Sequence, residues 1–270
     1  MIIKKINQFL KEDLPTGDIT TDSTIVDDTT IEAKIIAMEN MIFSGEQIIP
    51  HCFGNTVDID INRKDGEQIS SHAIIGTIKG SAKLILSRER IMLNLIQRLC
   101  GIATNTKIYV DLAKPFNVKI LDTRKTTPGI REFEKYAVKC GGGYNHRLNL
   151  STGILIKDNH IQAAGSIKNA LKKINRKLWI EVEVDTIAQI QEGLLENVDG
   201  FLLDNMNPEK IKECVDLIKS HPNGEKIFIE ASGGINLTNI NPYLNTGIDG
   251  ISIGALTHQI KSCDIKLEFK

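Results

Sequence analysis

Six short apolar runs decide the fold: Val118-Lys-Ile-Leu-Asp122, Ile154-Leu-Ile-Lys157, Trp179-Ile-Glu-Val-Glu183, Phe201-Leu-Leu-Asp204, Ile227-Phe-Ile-Glu230 and Gly250-Ile-Ser-Ile-Gly254. After the first gap they recur every 20 to 27 residues, with helix-like segments at Ser166–Ile174, Thr186–Leu195, Pro208–Ile218 and Leu237–Leu244 between them. Parallel strands need a crossover of a dozen or more residues, so this rhythm reads as βαβ units covered by helices. The predicted class is α/β, with a C-terminal (β/α) barrel first and an open doubly wound sheet second. No Gly-x-Gly-x-x-Gly follows the first run, which weakens a dinucleotide-binding reading.

Upstream the patterning changes. Ile2, Ile3, Ile6, Phe9 and Leu10 recur at helical spacing, whereas Ile31-Glu-Ala-Lys-Ile35 and Val57-Asp-Ile-Asp-Ile61 alternate as half-buried strands do. A strand-rich stretch lies between Asp65-Gly66 and Gly80, and a helix is expected from Leu84 to Leu99, ahead of Gly101. The expected organisation is an N-terminal α+β domain over residues 1–105 and a barrel domain over 106–262. The alternating tail 263–270 is expected to return as a strand to the first domain.

Composition narrows the class of function. Among 270 residues, 33 Lys and Arg nearly cancel 34 Asp and Glu, so no cationic excess points to nucleic acid. No run approaches the roughly 18 apolar residues of a membrane span, and the Lys-interrupted start lacks the apolar core of a signal peptide, so a cytoplasmic protein is expected. Five scattered cysteines without a Cys-x-x-Cys pair read as thiols, mostly buried.

Five of the six runs end in a charge: Asp122, Lys157, Glu183, Asp204 and Glu230. At average composition about one or two would. In a barrel all carboxyl ends of the strands meet on the face that carries active sites, so a wet, charged mouth is expected. Alternation puts Glu181 and Glu183 on one side of their strand and Val182 and Val184 on the other. If the valines face the helices, Glu181 lies inside and needs a cation or donors.

The connection after the first run is rich in cations: Arg124 and Lys125, then Lys139, His146 and Arg147. Only 8 of the 33 cations are arginine, and its planar fork grips carboxylates and phosphates bidentately. Gly141-Gly142-Gly143 reads equally as a ligand approach or a flexible loop. Glu230-Ala-Ser-Gly-Gly-Ile235 and Ser252-Ile-Gly254 expose backbone N–H groups after the late strands, where this architecture binds phosphate. Glu183 and Asp204 then suit Mg2+, which takes one or two carboxylates and leaves its other positions to water and substrate phosphates; salt bridges to Lys157 or Lys125 are the plain alternative.

Together these residues resemble a known family. Asp-Thr-Arg-Lys-Thr-Thr-Pro-Gly (122–129), Lys-Tyr-Ala-Val-Lys-Cys-Gly-Gly-Gly-x-Asn-His-Arg (135–147), Leu-Ile-Lys-Asp-Asn-His (155–160), Glu-Val-Glu-Val (181–184), Leu-Leu-Asp-Asn (202–205) and Glu-Ala-Ser-Gly-Gly-Ile (230–235) resemble quinolinate phosphoribosyltransferase. Gly-Asp-Ile-Thr-Thr (17–21) and Gln-Arg-Leu-Cys-Gly-Ile-Ala-Thr (97–104) are similar to the same family. The pattern departs at Asn149-Leu-Ser-Thr152, where Gly-Leu and a polar pair are expected.

The resemblance implies an N-terminal α/β sandwich beside an incomplete barrel. It also implies a pentosyltransferase that converts quinolinate and phosphoribosyl pyrophosphate to nicotinate mononucleotide, pyrophosphate and CO2, in NAD biosynthesis. It assigns Arg124, Lys125, Thr126, His146, Arg147 and Lys157 to the substrate pocket. Glu183 and Asp204 go to the ribose and Mg2+ region, and Ser232, Gly233, Gly234 and Gly254 to the phosphate. Lys125, Lys157, Glu183 and Asp204 are the expected catalytic residues. Arg98 is expected to reach a neighbouring subunit's site, which makes a homodimer the minimal unit.

Two rivals differ in chemistry. A related phosphoribosyltransferase-like protein associated with molybdenum transport shares 122–129, but Asn145-His146-Arg147 favours quinolinate. A Schiff-base aldolase would use Lys157 as a nucleophile.

Overall fold

The computed structural model describes residues 2–174 and 177–270. The chain forms two compact units. Residues 1–107, 127–142 and 259–270 make the first, and 108–126 and 143–258 make the second.

The first unit carries an antiparallel sheet built from β1 (Thr30–Ala37), β3 (Val57–Ile61), β5 (Ile74–Ser81) and the C-terminal strand Ile265–Phe269; β2 (Met41–Ile42) and β4 (Gln68–Ile69) pair separately. The C-terminal strand runs antiparallel to β1, with Ile35 opposite Leu267. The Ile2–Asp13 helix buries Ile6 and Leu10 and leaves Lys4 and Lys11 in water, as its spacing requires.

The helix expected over Leu84–Leu99 spans Ala82–Ala113 and passes through Gly101. There glycine is a packing residue rather than a stop. A Cβ at position 101 would lie 2.2 Å from the Lys261 carbonyl oxygen, so the bare backbone admits a neighbouring segment.

The second unit contains all six predicted strands: β6 (Lys119–Leu121), β7 (Ile154–Ile156), β8 (Ile180–Val184), β9 (Gly200–Asp204), β10 (Phe228–Ser232) and β11 (Gly250–Ser252). They are parallel, in the order β6-β11-β10-β9-β8-β7. That is the cyclic order of a barrel, including the β11–β6 pair, opened between β6 and β7. The barrel is therefore incomplete, as expected.

The reason for the seam lies in the chain. Between β6 and β7 the helix Arg131–Cys140 belongs to the first unit, so no crossover helix of the second unit draws these strands together. Instead Tyr144 bridges Leu121 in parallel, extending the β6 edge by one rung.

The helices Ile187–Leu194 and Pro208–Ser220 fall where the spacing places them. Thr186 and Asn207 cap their first turns, accepting the amides of Gln189 and Lys210. All five cysteines are free thiols, four of them buried and Cys140 half-buried. No helix among the described residues is long and apolar enough to cross a membrane.

Candidate active site

One cavity of about 540 Å³ opens where β6 to β11 end. Arg124, Lys125, His146, Arg147, Lys157, Glu183, Asp204, Ser232, Gly233 and Gly234 all line it. Ten of the thirteen residues singled out as substrate-binding therefore meet at one place. Glu183 and Asp204, the candidate metal ligands, are two of them.

Local structure explains how each arrives. After β6 the chain turns tightly: the Thr126 amide donates to the Arg124 carbonyl at 3.0 Å, and the Lys125 amide to Thr123 Oγ1 at 3.0 Å. Thr257 Oγ1 donates to the Lys125 carbonyl at 2.7 Å, and a Cβ at Gly254 would come within 3.0 Å of Lys125 Cδ. Thr126 and Gly254 thus shape the Lys125 turn and do not line the cavity. The Gly233-Gly234 turn needs positive φ at both residues, +99° and +63°, and a Cβ at Gly233 would strike Asn205 Oδ1 at 2.2 Å. Arg98 belongs to the first unit, where its guanidinium donates to Glu134 Oε1 at 2.7 Å and Thr127 Oγ1 at 3.0 Å.

The first member of the glycine run 141–143 is a packing glycine. A Cβ at Gly141 would meet the Ala103 carbonyl oxygen at 2.5 Å, so this glycine lets two helices touch. The unusual Asn149–Thr152 turn is closed by its own side chains, with Thr152 Oγ1 accepting the Leu148 amide at 3.0 Å and Asn149 Oδ1 the Ser151 amide at 2.8 Å.

The cavity holds both signs of charge. Burial and the neighbouring Arg124 guanidinium lower the Arg147 pKa, while Glu181 and Glu183 oppose that shift. Two guanidiniums that disfavour each other are a site that gains from an incoming anion. Lys157 is ion-paired with Glu183, and Asp204 accepts from Asn205 Nδ2 at 2.7 Å. The donors for a metal are hard carboxylate oxygens, the type Mg2+ prefers.

A second cavity of about 480 Å³ lies towards the amino ends of the strands, lined by Lys119, Tyr144, Trp179 and Phe228 among others. His146 and Arg147 border both cavities. Between them sits a group that the patterning only half predicted. Glu181 is buried with Val182 and Val184 on its other side, and the unnamed partner it was expected to need is His146, whose Nε2 is 3.0 Å from Glu181 Oε2.

Glu230 Oε1 lies 3.8 Å from the same nitrogen. Burial, then the charge of Glu181, push the Glu230 carboxyl up to about 8. Its place at a strand end was visible in the sequence; its depth was not.

Known proteins now place this geometry. The N-terminal domain model of quinolinate phosphoribosyl transferase matches residues 18–100, and the C-terminal domain model matches residues 102–268. The chain belongs to the quinolinate phosphoribosyltransferase family. Within that family, a probable nicotinate-nucleotide pyrophosphorylase [carboxylating] of Bacillus subtilis is 43% identical, over 98% of this chain and 92% of the relative. The Mycobacterium leprae nicotinate-nucleotide pyrophosphorylase [carboxylating] is 37% identical, over 97% of this chain and 95% of the relative. The solved nicotinate-nucleotide pyrophosphorylase of Francisella tularensis superposes with a TM-score of 0.92 at 36% identity, covering 100% of this chain and 96% of that one.

Proposed function

We propose that this chain transfers the phosphoribosyl group of phosphoribosyl pyrophosphate to quinolinate with decarboxylation, giving nicotinate mononucleotide, pyrophosphate and CO2 in NAD biosynthesis. The observation that carries the reading is the single cavity in which Arg124, Lys125, Arg147 and Lys157 face Glu183, Asp204 and the Ser232–Gly234 turn.

Both substrates are polyanions, so cations on one side and backbone N–H groups on the other hold them together. Each charge-assisted hydrogen bond contributes roughly 1.5–3 kcal/mol. Arg124 and Arg147 take the two carboxylates of quinolinate. The Ser232–Gly234 turn takes the 5-phosphate of the ribose donor, since two successive positive-φ glycines make the kind of backbone turn that binds anions.

The pyridine nitrogen attacks the anomeric carbon as the bond to pyrophosphate breaks, and positive charge builds on the ribose. Glu183 and Asp204 stabilise that charge, and Lys125 and Lys157 stabilise the departing pyrophosphate. Glu183 and Asp204 would hold Mg2+, which when bound neutralises charge on the pyrophosphate. The N-ribosyl pyridinium then accepts the electron pair of the breaking carbon–carboxylate bond. CO2 leaves and the ring carbon takes a proton. No covalent enzyme intermediate is needed.

The active unit in this reading is a homodimer to which Arg98 contributes across the interface. Incubation with quinolinate, phosphoribosyl pyrophosphate and Mg2+ tests the reaction: CO2 and nicotinate mononucleotide should appear in equal amounts. Absence of both with folded protein would overturn the assignment.

A further inference from the structure

The ring of His146 borders the substrate cavity, yet both its nitrogens face protein. Nδ1 accepts the backbone N–H of Arg147 at 2.8 Å, so the ring proton sits on Nε2, where Glu181 Oε2 receives it at 3.0 Å. The His146 amide donates in turn to Asp122 Oδ1 at 2.9 Å, and Asp122 is buried at the end of β6. Arg147, the next residue, donates from Nη1 to the Gly153 carbonyl at 3.2 Å.

We infer that Glu181 is a positioning residue: by accepting the Nε2–H of His146 it holds the tautomer whose Nδ1 accepts the Arg147 amide, and so sets Arg147 against the substrate. The inference rests on the proposed role of Arg147 in binding quinolinate. It gives buried Glu181 a use that no substrate contact supplies, because Glu181 lines the amino-end cavity and not the one holding Lys125 and Lys157.

A rival use is a metal ion, since His146, Glu181 and Glu230 each offer a donor atom within 4.8 Å of the others. The Arg147 amide opposes it. A metal on Nε2 would require the proton on Nδ1, where it would collide with the N–H that Nδ1 now accepts.

Two measurements test the relay. Long-range nitrogen–proton NMR of the resting protein should show His146 as the neutral Nε2–H tautomer. An imidazolium, an Nδ1–H tautomer or a stoichiometric metal lost in Glu181→Gln would overturn it. This readout needs no substrate and is independent of the functional reading, which fails separately if the wild type binds no quinolinate.

In steady-state kinetics, Glu181→Ala should raise KM for quinolinate about tenfold or more, with KM for phosphoribosyl pyrophosphate nearly unchanged. Glu181→Gln, whose amide oxygen still accepts the Nε2–H, should recover most of that loss. Equal rises for both substrates, or no rise in Glu181→Ala, would show that Glu181 does not act through Arg147.

Discussion

Lys157 and Glu183 form an ion pair across neighbouring strands: Lys157 directly follows β7, Glu183 stands on β8, and the pairing of Ile156 with Val182 sets them side by side. The resting site thus neutralises part of its own charge. In the proposed reaction an anion arriving at Lys157 would compete with Glu183 and free that carboxylate for the ribose.

The first prediction separates the two partners. Glu183→Gln should lower kcat by about 100-fold, the usual scale for losing one charge-stabilising group, while KM for quinolinate holds or falls because Lys157 is released. Lys157→Ala should raise that KM. A kcat for Glu183→Gln close to the wild type would remove Glu183 from the chemistry.

Arg147→Ala should weaken quinolinate binding far more than phosphoribosyl pyrophosphate binding. Losing a charged hydrogen-bond donor costs roughly 1.5–3 kcal/mol, about ten- to a hundredfold in Kd. Calorimetry with each substrate alone measures the split, and equal losses would count against a carboxylate-binding arginine.

Glu230 supplies a pH dependence. Its carboxyl ordinarily titrates at 4.5, and in the folded chain burial and Glu181 push it up to about 8. Between those values the folded state keeps a proton that the unfolded state has released. Stability should therefore fall as pH rises from 4.5 to about 8, by at most about 1.4 kcal/mol per pH unit from this group, and level off above. Denaturant melts should show a flatter profile for Glu230→Gln. An unchanged slope in the variant would mean that Glu230 is ionised throughout.

Much of this site was legible because strand geometry is local. Six apolar runs, five of them ending in a charge, specified both the strands and the rim where Lys157, Glu183 and Asp204 stand. Alternation within Glu-Val-Glu-Val also placed Glu181 inside and required a partner for it. The partner itself could not be named, since His146 comes from an irregular segment whose position depends on the Leu121–Tyr144 bridge. Gly101 misled for a related reason: glycine both ends helices and admits close neighbours, and only the Lys261 backbone shows which role it has. The break between β6 and β7 follows from which unit owns the helix Arg131–Cys140, a long-range fact with no periodicity to announce it.

Arg98 gives the sharpest test of the assembly. Within its own chain the guanidinium is held by Glu134, which is fully buried, and by Thr127, so the arginine is already oriented before any partner is present. In the proposed dimer, Arg98→Ala removes a group donated to the neighbour's cavity, while Lys157→Ala disables the cavity of the subunit that carries it. Each variant alone should be nearly inactive. A mixed dimer keeps one site with both groups intact, so equal mixing and full exchange should restore about a quarter of wild-type activity, the statistical yield for a two-fold assembly. Exchange is verified by mass-tagged subunits in native mass spectrometry. Exchanged dimers with no recovered activity would place Arg98 in its own subunit's chemistry, and an Arg98→Ala variant that is fully active alone would place it outside the chemistry.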